Sequence, residues 1–256
     1  MSFRDELYAS YTLHPSHATT ADTAVYDRVY ARYLRGWLPP DPAAPVADLG
    51  CGDGKLLAFL ASQGFREVVG VDRSPVQVER SRRLAPAADV SLGDAGDLLR
   101  GRSGHFGAIF CIDVLEHLTR DELLATLASI RGALRPGGAL IAQIPNADSP
   151  FHGAIRYGDL THELAFTPEV LRHLFAATGF ERCDFRECGP VAKDWKGALR
   201  LGLWRLLRRG LQLWNTVETG APGSGVYTRV MLARAVVGGA LPVAGGPIGA
   251  TSRAAT

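Results

Sequence analysis

The chain has 256 residues, 46% of them hydrophobic, with 28 basic and 26 acidic side chains that leave a formal charge of +2. That size supports one large domain with a substantial core, and ordinary apolar content excludes wholesale disorder. So small a basic excess argues against a dedicated nucleic-acid binder. Three of the basic residues are lysines (Lys55, Lys193, Lys196), so the positive charge is almost all arginine, and it concentrates between Lys193 and Arg209.

In chain order, the first ten residues carry charge at once and lack an apolar h-region, so no secretory signal is expected. Cys51, Cys111, Cys183 and Cys188 form no C-x-x-C pair, which reads as reduced thiols in a cytoplasmic protein. Tyr26 to Trp37 has the spacing of an amphipathic helix, and residues 1–40 are expected to form a helical lid to which Tyr11 and His14 contribute. Val46–Leu49 predicts a strand, Lys55–Ser62 a helix, Glu67–Val71 a strand and Pro75–Leu84 a helix. Asp89–Leu92 and His105–Ile112 predict strands and Arg120–Leu134 an amphipathic helix. Arg135-Pro136-Gly137-Gly138 predicts a sharp turn into a strand at Ala139–Ile144. Thr167–Thr178 is a helix with Thr167 as its cap, Pro168 at the first position and Gly179 as its stop. Phe180–Glu187 and Val226–Val236 close the series as strands.

Such alternation predicts an α/β fold: a Rossmann-like, doubly wound, mostly parallel seven-stranded sheet with helices on both faces. Residues 1–236 read as a single domain, with 41–190 as its ligand-binding core, 191–225 as an insert and 226–236 as the last strand. Residues 237–256 read as a flexible Gly/Ala-rich tail, too broken by glycine and proline to span a membrane. Within the insert, helical spacing over 198–214 puts Leu199, Leu203, Leu206, Leu207, Leu211 and Trp214 on one face, opposite Arg205, Arg208 and Arg209. That pattern suits three occupants: its own domain, a second copy in a homodimer, or an anionic membrane surface.

The segment Val46-Ala47-Asp48-Leu49-Gly50-Cys51-Gly52-Asp53-Gly54 runs a strand into glycines at alternate positions. Glycine there lets a ligand lie against the backbone. The G-x-G-x-G spacing differs from a dinucleotide fingerprint, and Asp48 would repel a phosphate yet suit an ammonium. Asp72, at the end of the second strand, is placed to take both hydroxyls of a ribose. The ordered set DLGCGDG, GVDRS, SLGDAGDL, IFCIDVLEHL and LRPGGALI, over roughly residues 40 to 190, resembles the class I S-adenosylmethionine-dependent methyltransferases. The resemblance implies that Asp48, Gly50 and Gly52 hold the methionine part of S-adenosyl-L-methionine and that Asp72 binds its ribose. It further implies that Arg73 and Gln77 border the adenine, that Asp94 meets the adenine amino group with Ala95 beside it, and that Asp113 and Val114 face the sulfonium and the substrate. His117 reads as a cofactor-side or structural residue.

Methyl transfer is an in-line displacement that depends on alignment, and a hydroxyl acceptor must also lose its proton. The loop from Pro145 to Glu163 is dense in polar and aromatic residues, and its GDLTHELAFT stretch resembles a subgroup with a GD-x-THE-x-x-FT element that acts on sugars or glycan-linked substrates. His162 is the expected general base, with Asp159 orienting it and His152 as the alternative. No metal site is expected, because His162 and Glu163 are adjacent and no H-E-x-x-H is present. A small-molecule or sugar acceptor, O-methylated, is the leading expectation. An N- or C-methyltransferase on a natural product or quinone precursor, and a non-catalytic cofactor-binding or membrane-associated subunit, are its rivals.

Overall fold

The computed structural model describes residues 23–238. Tyr11 and His14, and all but the first two residues of the expected tail, lie outside the described residues. Helix α1 (Thr23–Tyr33) leads to strand β1 (Val46–Leu49), α2 (Lys55–Ser62), β2 (Val68–Asp72), α3 (Pro75–Leu84), β3 (Asp89–Leu92) and α4 (Ala95–Leu99). Then follow β4 (Phe106–Ile112), a 3-10 turn (Leu115–His117), α5 (Arg120–Ala133), β5 (Leu134–Pro145), α6 (His152–Arg156), α7 (Pro168–Ala177) and β6 (Arg182–Glu187). Helix α8 (Trp195–Thr219) and strand β7 (Val230–Val236) complete it.

The seven strands form one sheet in the order β3-β2-β1-β4-β5-β7-β6. All neighbours are parallel except β7, which runs antiparallel between β5 and β6. The chain therefore winds outward from β1 in one direction and from β4 in the other, leaving a crevice between β1 and β4 at their carboxyl ends. Side chains of β1 alternate between two cores. Ala47 and Leu49 join Leu98, Leu127, Ile130, Leu171 and Phe175 of α4, α5 and α7, while Val46 joins Leu57, Leu60 and Val78 of α2 and α3. Each fully buried leucine, such as Leu57 or Leu127, stabilises the fold by about 1.5–3 kcal/mol relative to exposure.

Local signals set several boundaries. Ser74 caps α3 through its hydroxyl with Pro75 at the first position, and Thr167 does the same for α7 with Pro168. The Arg135-Pro136-Gly137-Gly138 turn is a correction: it lies inside β5 as an irregularity. Pairing with β4 begins at Phe106–Leu134, jumps, and resumes at Ala108–Ala139. The turn bulges out while the strand on either side stays in the sheet.

The leucine face predicted for the insert is for the most part the one turned away from the domain. Helix α8 turns Leu201, Trp204, Arg208 and Asn215 toward the domain, and Leu199, Leu203, Leu206, Leu207 and Trp214 outward, each of these five more than half exposed. Leu211, predicted on the apolar face, is half-buried, and Arg208 is held by the Gly225 carbonyl (2.9 Å) and by Glu187 (3.5 Å). The Trp204 indole donates to Glu187 at 3.2 Å. These polar contacts fix the helix by its less apolar side, which leaves Leu199, Leu203, Leu206, Leu207 and Leu213 exposed. Among the described residues no helix is long and apolar enough to cross a membrane.

Candidate active site

The glycine loop after β1 is held by the neighbouring strand: the Gly50 and Cys51 amides donate to the Val71 carbonyl at 2.8 and 3.0 Å. The Gly52 amide donates to the Asp72 carboxylate at 2.9 Å, and Ser74 donates to its other oxygen at 2.8 Å. Gly50 and Gly52 both have positive φ (73° and 51°), which L-residues adopt at a cost. Among the described residues, a Cβ on Gly52 would meet no atom within 4 Å, so they leave open space over the loop. A Cβ on Gly50 would lie 2.6 Å from a methyl of Val114, so the two loops close on each other here.

Asp48 is 2% exposed, and its Oδ1 is buried with no hydrogen-bond partner. Burial, reinforced by the nearby Asp72, holds its carboxyl well above the ordinary range. An orphaned buried acceptor of this kind favours a cationic hydrogen-bond donor. Burial likewise raises Asp72, opposed by the amide bonds it accepts. Gln77 Oε1 is a second buried acceptor without a partner, while Arg73 is exposed. Asp94 is already employed: its carboxylate accepts the Asp97 amide at 2.9 Å as the cap of α4, beside Ala95.

At the end of β4, Asp113 has φ 54°, the one non-glycine residue with positive φ among the described residues. Gln143 of β5 donates to both its oxygens at 3.1 and 3.0 Å, fixing the carboxylate over the crevice. The surrounding protein raises its carboxyl above the ordinary range, opposed by the Gln143 bonds and by His162.

The turn that follows carries Glu116 and His117, both buried. The Glu116 carbonyl accepts the amides of Glu163 (2.7 Å) and Leu164 (3.0 Å), which pins the loop after β5 against this turn. His162 is thereby brought to His117, with ring centroids 4.7 Å apart at 68°. One ligand-type atom each of Glu116, His117 and His162 lies within 4.8 Å of the others. Adjacency of His162 and Glu163 led the sequence reading away from a metal site; in the fold the acid clustered with His162 is Glu116, from a different loop, and not Glu163. Asp159, expected to orient His162, is engaged with Thr161. Asp159 accepts the Thr161 hydroxyl at 2.6 Å, Thr161 Oγ1 lies 2.9 Å from His117 Nδ1, and the group that orients His162 is the Ile155 carbonyl, 3.0 Å from its Nδ1. His152 is exposed at the start of α6 and is not among the clustered side chains.

Residues 46–138, the segment that contains the glycine loop and the three acids at the strand ends, match the family model described as a methyltransferase domain. The chain carries a class I S-adenosylmethionine-dependent methyltransferase domain. The O-methyltransferase cnsE of Penicillium expansum is 32% identical over 189 residues, covering 70% of this chain and 66% of that protein. A ubiquinone biosynthesis O-methyltransferase of Xanthomonas campestris is 33% identical over 109 residues, 41% of this chain and 44% of that one. Apart from cnsE, the chain spans less than half the length of the curated relatives it matches first. In fold it resembles an S-adenosylmethionine-dependent methyltransferase from Archaeoglobus fulgidus, with TM-score 0.60 and 18% identity over 91% of this chain and 99% of that one. It also resembles the Burkholderia thailandensis 1,6-didemethyltoxoflavin-N1-methyltransferase, solved with its acceptor and S-adenosylhomocysteine, with TM-score 0.58 and 19% identity over 92% and 87%.

The methyltransferase domain fits S-adenosylmethionine on its own geometry. Asp48 offers an orphaned carboxylate oxygen to an ammonium, Asp72 a carboxylate fixed at the strand end, and Gly52 open space along its backbone. Sequence reasoning missed Glu116, Thr161 and Gln143. A glutamate set between Leu115 and Leu118 in an otherwise apolar turn was the available signal for Glu116.

Proposed function

We propose that the protein transfers a methyl group from S-adenosylmethionine to a hydroxyl oxygen of a small-molecule, sugar or glycan-linked acceptor. The observation that carries this reading is His162 at the carboxyl end of the sheet. Its Nδ1–H is committed to the Ile155 carbonyl, which leaves the lone pair of Nε2 for chemistry near Asp113. Bound S-adenosylmethionine supplies a methyl carbon made electrophilic by the sulfonium. Asp48, Asp72 and Gln77 hold the cofactor, while Asp113 and Val114 border the space where acceptor and methyl meet. Loss of the hydroxyl proton at the His162 cluster frees the oxygen to attack in line. Phe151 and Tyr157, exposed on the same loop, offer flat apolar faces to a sugar ring. Names of two relatives, both O-methyltransferases, support the choice of oxygen.

Residues 191–225, with the segment before β1, build the acceptor side in this reading, and the protein works as a cytoplasmic enzyme. A screen of hydroxylated acceptors with methyl-labelled cofactor tests it. His162→Ala should lower kcat by about 100-fold or more while leaving S-adenosylhomocysteine binding intact. A rate that is nearly unchanged would point to an amine or carbon acceptor instead.

A further inference from the structure

We propose that Glu116, His117 and His162 form a binding site for one divalent transition-metal cation. Their ligand atoms lie within 4.8 Å of one another, near enough to share an ion. A cluster of this composition is not evidence enough alone. Glu116 is 1% exposed, and its Oε2 is buried without a hydrogen-bond partner, which is costly unless a cation neutralises it. Both histidines are also set as metal ligands are set. His162 Nδ1–H donates to the Ile155 carbonyl. The short Thr161–Asp159 bond makes the Thr161 hydroxyl the donor to the carboxylate, so Thr161 Oγ1 accepts from His117 Nδ1–H at 2.9 Å. Each ring is thus held in the tautomer whose Nε2 carries the lone pair, the arrangement by which a second layer of hydrogen bonds orients metal-binding imidazoles. Two imidazoles and one carboxylate suit zinc, manganese, cobalt or iron in the divalent state better than calcium or magnesium. Three protein ligands leave positions open for an acceptor oxygen.

The role of the cation rests on the O-methylation reading; its presence does not. With the cation bound, the Nε2 lone pair of His162 is a ligand and no longer a base, and an acceptor hydroxyl on the cation would release its proton to water. The freed oxygen pair forms the O–CH3 bond as the C–S bond breaks and its pair stays on sulfur. The full chain, stripped with chelator and reloaded with Mn2+, Co2+ or Zn2+ singly, should bind one equivalent by equilibrium dialysis with elemental analysis. Glu116→Gln and His162→Ala should each weaken binding at least tenfold, and Thr161→Val, which breaks the support of His117, by about 10–100-fold. Retained S-adenosylhomocysteine binding by calorimetry shows that each variant is folded. Binding that is absent, or equal in the wild type and His162→Ala, overturns the site. Stoichiometric metal without methylation of any hydroxyl overturns only the O-methylation reading.

A separate observation carries a second inference: we infer that the outward face of α8 rests on an anionic membrane surface. Leu199, Leu203, Leu206 and Leu213, with Trp195 and Trp214 toward its two ends, are exposed on the side opposite the domain. At 100° per residue, Lys196 and Arg200 flank this face on one side and Arg205 and Arg209 on the other. Glu218 is the one acid within the helix. Apolar residues flanked by cations match acyl chains beneath anionic headgroups, with tryptophan at the boundary. A second copy would bring cationic flanks against cationic flanks, so charge favours the lipid. The full chain should float with phosphatidylglycerol-containing vesicles, and not with phosphatidylcholine alone. Flotation should fall several-fold in 0.5 M salt, where the Debye length shrinks to about 4 Å, and be lost in Leu203→Glu/Leu206→Glu. No flotation with anionic vesicles, or a sedimentation-detected dimer that the same double variant dissociates, overturns the lipid assignment.

Discussion

Substituting alanine at two glycines of one loop separates ligand contact from packing. At Gly52 (φ 51°) the added Cβ meets no atom of the described residues, so the cost is that of a left-handed alanine, about 1–2 kcal/mol. For a domain of this size that lowers Tm by roughly 2–8 °C. At Gly54 (φ 85°) the Cβ would lie 2.8 Å from Cα of Ser81, a backbone atom of α3 that cannot rotate away. Overpacking of this kind adds about 1–3 kcal/mol, so Gly54→Ala should cost about 2–5 kcal/mol in total. The order reverses for binding. The space over Gly52 is where cofactor lies against backbone, and a methyl there should weaken S-adenosylhomocysteine by about 10–100-fold, or 1.4–2.8 kcal/mol. Thermal unfolding and titration calorimetry on the two variants read both quantities. If Gly52→Ala binds S-adenosylhomocysteine as the wild type does, the cofactor does not approach this backbone and the reasoning fails.

Three further outcomes are expected. Asp72→Ala should weaken S-adenosylhomocysteine by at least tenfold in calorimetry, through loss of a carboxylate already fixed by the Gly52 and Ser74 amides. Asp48 has a folded-state carboxyl above its unfolded value, so the ligand-free fold loses stability as pH rises through that window. Asp48→Asn should therefore raise the ligand-free Tm at neutral pH and flatten its pH dependence while weakening cofactor binding; a lower Tm in the variant would count against the orphaned carboxylate. Burial, with Asp113 and Glu187 nearby, pushes Cys188 up to about 12, so maleimide labelling at pH 7.5 followed by peptide mapping should leave this thiol largely unmodified.

Much of the frame is legible in the residues themselves. The helices Lys55–Ser62 and Pro75–Leu84 and the strands Val46–Leu49 and Asp89–Leu92 begin and end where predicted, because glycine, proline and Ser74 mark their ends locally. Arg135-Pro136-Gly137-Gly138 misled for the same reason: its punctuation is local, while the pairing that carries β5 past it comes from β4. The acids at the strand ends could be read from a motif, since each follows its own strand. The Glu116–His117–His162 cluster could not, because its parts come from separate loops joined by two backbone bonds to the Glu116 carbonyl. Which way the leucine face of α8 points stays open in the sequence for a different reason. Apolar spacing shows which side of a helix is greasy, but Trp204 and Arg208, bonded to Glu187, decide which side meets the domain.

Adjacent antiparallel strands need only a tight hairpin between them, yet residues 188–229 intervene between β6 and β7. β6 and β7 pair along their length, while the end of the excursion is tied to the sheet by Asn146, which donates to the Val226 and Thr228 carbonyls, so the freedom to vary lies in the middle of the excursion and not at its ends. The excursion also leaves from the carboxyl end of β6, which runs parallel to β5, so it emerges at the edge that carries Asp113. In the proposed reading, the cofactor contacts and this part of the acceptor side therefore lie in separate stretches of the chain, the first built on a buried sheet and the second on an excursion from its edge.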